Sequence, residues 1–154
     1  MKKLVLYGFV AAVALAVLLT APLLIKSGSP QPTLSYEVGG CLDRSQGEIT
    51  RGQHLPSEVE VSVGDSSVKL LHHLRYVCCA EIRVELEYVG GSGDEKVIRV
   101  LEENVGDFCR CICDYDVALK ISNLQPGKYR VEIYGVKYDD MPIEKLWEGE
   151  VVIG

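Results

Sequence analysis

The sequence predicts an all-β domain, an antiparallel β-sandwich of about seven short strands, behind one N-terminal membrane or signal helix. Three observations carry that prediction. Residues Leu4 to Ile25 hold no charge, apolar and polar side chains alternate with period two through much of the remainder, and all six cysteines fall after residue 40. Apolar residues are 47% of the 154, too many for a disordered chain. From residue 27 onward there are 13 basic and 22 acidic side chains, with no basic run and no aromatics interleaved with Arg or Lys. Nucleic acid is therefore not an expected partner, since a polyanion would meet net negative charge. The residues beyond 26 suffice for one domain with a real core and leave no comfortable room for a two-domain enzyme.

The first element is residues 1–26. As a helix the uncharged run spans about 33 Å at ~1.5 Å per residue, enough to cross a bilayer. Lys2 and Lys3 precede it, which places that end in the cytoplasm and everything after Lys26 outside. The run exceeds the ~7–15 apolar residues of an ordinary secretory signal and lacks a clean small-x-small site, so a retained single-pass anchor through residues 4–25 is expected. The alternative is a leader cut near Thr20-Ala21, giving a secreted chain. Residues 27–40 form a linker and entry strand: Ser27–Thr33 (SGSPQPT), twice interrupted by proline, reads as an extended spacer. The sandwich domain is expected over 41–154.

Within that domain Val59, Val61 and Val63 alternate with Glu58, Glu60 and Ser62. Ala80, Ile82, Val84, Leu86 and Tyr88 alternate with Arg and Glu, the cleanest half-buried strand in the chain. Gly90–Asp94 then turns the chain into a strand around Val97–Leu101. From Cys109 to Ile121 the odd residues are Cys, Cys, Cys, Tyr, Val, Leu and Ile, and only Ile112 and Ala118 break the polar even face. A strand that long predicts a bulge or bend near Asp114–Asp116. Tyr129–Tyr138 and Leu146–Ile153 complete the set, and no convincing amphipathic helix competes.

The segment Leu124-Gln125-Pro126-Gly127-Lys128-Tyr129-Arg130-Val131-Glu132-Ile133 resembles the Leu-x-Pro-Gly-x-Tyr-x-Val turn and strand of prealbumin-like and immunoglobulin-like sandwiches, carboxypeptidase-regulatory-like modules included. It also resembles the tyrosine corner of fibronectin type III domains, displaced by one residue. The resemblance implies architecture and no particular function, because such sandwiches host many roles. In physical terms Pro126-Gly127 reverses the chain, and Tyr129 can bury its ring while its hydroxyl reaches the backbone.

Outside the membrane Cys41, Cys78, Cys79, Cys109, Cys111 and Cys113 are disulfide candidates. Residues two apart on a strand have nearly parallel side chains, so Cys109, Cys111 and Cys113 do not pair among themselves comfortably. Each then needs a partner among Cys41, Cys78 and Cys79, which reduces the fifteen connectivities open to six cysteines to six. Cys78 shares the parity of Ala80 and Ile82 and should face the core. A Cys78–Cys111 or Cys78–Cys109 bridge is the leading expectation, and Cys79 faces away unless the strand begins after it.

The alternative is thiolate ligation of Zn or Cu by Cys78, Cys109, Cys111 and Cys113, with His72 and His73 upstream. Neither adjacent Cys-Cys nor Cys-x-Cys-x-Cys has the usual structural-zinc spacing, and no Cys-x-x-Cys is present. His72 and His73, adjacent on a strand, should point oppositely, in surface or satisfied core roles. Glu102-Glu103, Asp139-Asp140 and Asp114-Tyr115-Asp116 read as solvated edges ahead of calcium or acid–base sites. His54 belongs to no motif, and no phosphate loop, nucleophile elbow or dinucleotide fingerprint occurs. The expectation is a membrane-anchored, extracytoplasmic, non-catalytic domain without cofactor, binding an unknown protein or surface partner or serving as structure at the cell surface. Metal binding or thiol redox by the Cys/His region is the second class.

Overall fold

The computed structural model describes residues 31–42, 44–46, 58–89 and 95–154. The expected membrane segment, His54 and the turn at 90–94 lie outside the described residues. Among the described residues no helix is long and apolar enough to cross a membrane.

The described chain is all-β, with nine strands: β1 (Thr33–Val38), β2 (Arg44–Gln46), β3 (Glu58–Gly64), β4 (Ser67–Val77), β5 (Ile82–Val89), β6 (Glu95–Asn104), β7 (Cys111–Ser122), β8 (Gly127–Lys137) and β9 (Glu144–Ile153). They form two sheets. One runs β1-β7-β4-β3 with β2 also on β7; the other runs β5-β6-β8-β9. The inward residues of both meet in one core, with Val68, Leu70 and Leu74 of β4 and Val117, Leu119 and Ile121 of β7 on one side. Ile98 and Val100 of β6 and Val131 and Ile133 of β8 oppose them. Alternation is the cause. Each of these positions is an inward member of a two-residue repeat, alternating mostly with polar or less buried residues such as Lys69, Arg75, Arg99 and Lys120, and each buried aliphatic contributes about 1.5–3 kcal/mol.

The expectation of wholly antiparallel sheets is corrected at one pair: β6 and β8 run parallel. The chain leaves β6, makes β7 in the opposite sheet and returns as β8 beside β6, pointing the same way. A second correction concerns β7. The bend expected near Asp114–Asp116 is absent, and β7 pairs with β4 without a shift from Ser67↔Ser122 to Val77↔Ile112. The break falls instead in its other partner. Residues 33–38 and 44–46 both pair with β7, and beyond β1 the Gly39 N–H donates to Asp116 O (2.8 Å) and the Leu42 N–H to Asp114 O (3.0 Å).

The expected turn chemistry is present at 123–129. Asn123 takes φ 62° and Gly127 φ 142°, the latter a conformation that favours glycine. Tyr129 is 2% exposed and its hydroxyl donates to Gln125 O at 2.8 Å, closing the corner between β7 and β8.

Candidate functional site

The cysteines gather where β4 ends and β7 begins. Val77 is paired with Ile112, so the next residues in register are Cys78 and Cys111; Cys78 N–H donates to Cys111 O at 3.0 Å, and the two form a disulfide with Cα atoms 5.5 Å apart. Cys79 bridges Cys109 (Cα–Cα 5.9 Å) and Cys41 bridges Cys113 (Cα–Cα 5.0 Å). No described cysteine is free. This is one of the six connectivities that the spacing leaves open. Cys78 and Cys79 occupy the turn between β4 and β5, and β5 starts only at Ile82, which leaves Cys79 exposed.

The loop after β6 supplies Cys109. It is laid along residues 79–81 by Val105 N–H to Glu81 O (2.9 Å) and Asp107 N–H to Cys79 O (3.2 Å). Phe108 seats it between Tyr76 and Tyr138, with ring centroids 6.3 and 5.5 Å away. Gly106 permits the approach, since a Cβ there would stand 2.7 Å from Cys79 O and 2.8 Å from the Glu81 nitrogen. The three bridges touch. Cys109 Sγ lies 3.6 Å from Cys111 Sγ, and the sulfurs of Cys41, Cys78 and Cys113 lie within 4.8 Å of one another.

The histidines are not brought to the sulfurs. His72 faces inward and its Nδ1 lies 2.8 Å from Glu102 Oε1 in the other sheet, both side chains being fully buried. Among the described residues His72 Nε2 and Glu102 Oε2 have no further hydrogen-bond partner. His73 faces outward, opposite Asp116 across β4 and β7, with Nδ1 2.7 Å from Asp116 Oδ1 and Nε2 3.7 Å from Glu60 Oε1. The hydrogen bond to Asp116 and the nearby negative charge hold the His73 imidazole above its ordinary pKa.

A third feature is a groove of about 600 Å³ across the outer face of the β1-β7-β4-β3 sheet. Register assigns its walls. Ser62, Lys69, Lys120 and Ser35 form one row across the four strands, and Glu60, Leu71, Ala118 and Glu37 form the next.

Comparison with protein-family models, curated proteins and solved structures finds no match.

Three residues of chemical interest are misread or passed over by the sequence pattern. Glu102 reads as a solvated edge in its acidic doublet, yet it is fully buried while Glu103 pairs outside with Arg83 and with Lys137 at 3.2 Å. The available signal is parity, because Ile98, Val100, Glu102 and Asn104 are the inward positions of β6. Lys69 and Lys120 are equally silent in sequence and become neighbours only through the β4–β7 register. Asp114 and Asp116, in place of a calcium loop, stand opposite Arg75 (3.7 Å) and His73.

Proposed function

We propose that this chain is a membrane-anchored extracytoplasmic module whose disulfide-stapled sandwich has a non-catalytic binding or structural role at the cell surface, held by residues 4–25 or released after cleavage. The observation that supports it best is the complete pairing of the cysteines into three bridges at one end of the fold, a state that persists in oxidising compartments. The open groove supplies a surface for binding. Kinship with prealbumin-like and immunoglobulin-like sandwiches is supported by the Tyr129 corner and is confined to that segment, since the parallel β6–β8 pair departs from the antiparallel sheets of immunoglobulin domains.

A second reading has its own observation. Were the bridges reduced, Cys41, Cys78 and Cys113 would present three thiolates close enough for one soft ion, Zn or Cu. That set includes Cys41 and excludes both histidines, unlike the grouping expected from sequence.

The test is to isolate the full chain natively, count free thiols, measure bound zinc, copper and iron, and map protease accessibility in intact cells. Intact bridges, no metal and external cleavage support the first reading. Reduced thiols with stoichiometric metal on a cytosolic domain replace it with the second.

A further inference from the structure

The outward side chains that face each other across β4 and β7 form a ladder in which one rung is anomalous. Arg75 meets Asp114, His73 meets Asp116, Leu71 meets Ala118 and Ser67 meets Ser122, each rung complementary or neutral. Between the last two, Lys69 stands directly opposite Lys120. Like charges in that relation destabilise a sheet. Neither ammonium has an ion-pair partner among the described residues. The outer face of the second sheet is different: there Arg99 and Arg130 hold Glu132 at 3.0 and 3.4 Å, and Lys128 holds Glu150 at 2.8 Å. Lys69 and Lys120 thus bring two like charges together on one rung of the groove, with Glu60 and Glu37 on the row beside them.

We propose that the groove binds a small amphipathic monoanion, a sulfate ester or carboxylate on a compact apolar body, with the oxyanion between Lys69 and Lys120 and the body on Leu71 and Ala118. This rests on the binding role argued above and gives it a ligand class. Cross-strand neighbours of this kind have Cβ atoms about 4.5–5.5 Å apart, so both ammoniums can reach one oxyanion, and the hydroxyls of Ser62 and Ser35 flank them in the same row. The next row places Leu71 and Ala118 where an attached apolar group would rest, and a volume near 600 Å³ suits a small ligand. Glu60 and Glu37 close the ends of that row and repel a second negative charge, so the site selects a monoanion and rejects a polyanion.

The test titrates the full chain in nonionic detergent with phenyl sulfate by calorimetry. Saturable binding is expected, weakened at least tenfold in K69M/K120M without loss of thermal midpoint and retained in K69R/K120R, while benzyl alcohol and polyglutamate bind far more weakly. No binding by the wild type, equal binding by K69M/K120M, or polyglutamate binding as tight as phenyl sulfate overturns the proposal. A118W, which fills the floor, separates the two levels. Loss in A118W alone removes the anion site and leaves the groove as a binding surface; binding unchanged in both variants removes the groove as well.

Discussion

His72 Nδ1 and Glu102 Oε1 meet at 2.8 Å across the interior and are the one hydrogen-bonded pair of fully buried ionisable side chains joining the two sheets among the described residues. Deleting one member strands the other in a medium that solvates it poorly. Glu102→Leu should cost about 3–5 kcal/mol, and H72L/E102L together clearly less than the sum of the single changes. Urea unfolding of the four proteins in a double-mutant cycle checks this, and additive losses would show that the pair is not coupled.

The bridges are nested, and their contributions should differ accordingly. Cys41–Cys113 closes a separation of 72 residues, worth about 4 kcal/mol of chain entropy, and it remains a long loop when the others are formed. Once Cys78–Cys111 is closed, Cys79–Cys109 adds a ring of only a few residues, worth about 2 kcal/mol. C41S/C113S should therefore lower the denaturation midpoint more than C79S/C109S. The reverse order would show that strand packing, not loop closure, sets the effect.

His73 should titrate above the ordinary histidine value of 6.5 because Asp116 holds its proton. A folded-state pKa raised above the unfolded one gives stability fully present below pH 6.5 and lost as pH rises through the folded value. Asp116→Asn should bring the imidazole resonance back toward 6.5 by NMR. It should also weaken the protein between pH 5 and 6.5, with little effect in alkali, and added salt should shrink the difference, since the pair is exposed.

Gly106→Ala should destabilise by about 1–3 kcal/mol, because the added carbon meets backbone atoms of Cys79 and Glu81 that cannot rotate away. Slower recovery of the Cys79–Cys109 bridge on reoxidation should accompany it, as the same loop presents Cys109. Thermal melts and peptide mapping read both effects, and a midpoint equal to wild type would mean that the loop can shift.

Much of this architecture is legible residue by residue, because burial of alternate positions is a local signal. The sequence places β7 by the parity of Tyr115, Val117, Leu119 and Ile121, and β5 by that of Ile82 and Val84, all of them buried. Parity also separates His72 from His73. What escapes depends on which strand lies beside which. Val61 and Val63 have the same alternation as Val117 and Leu119, yet are 40% and 47% exposed, because β3 is the edge of its sheet. The parallel β6–β8 pair has no local marker, and Glu102 hides in an acidic doublet. The Lys69–Lys120 rung is invisible for the same reason: the two residues are 51 positions apart and meet only in register.

The passage of the chain from β6 through β7 to β8 also bears on how the molecule comes apart. The second sheet closes around an excursion into the first: β6 and β8 are neighbours, and the β7 that joins them in sequence is an interior strand of the other sheet. With one core shared by both layers, loss of order should sweep them in a single cooperative step.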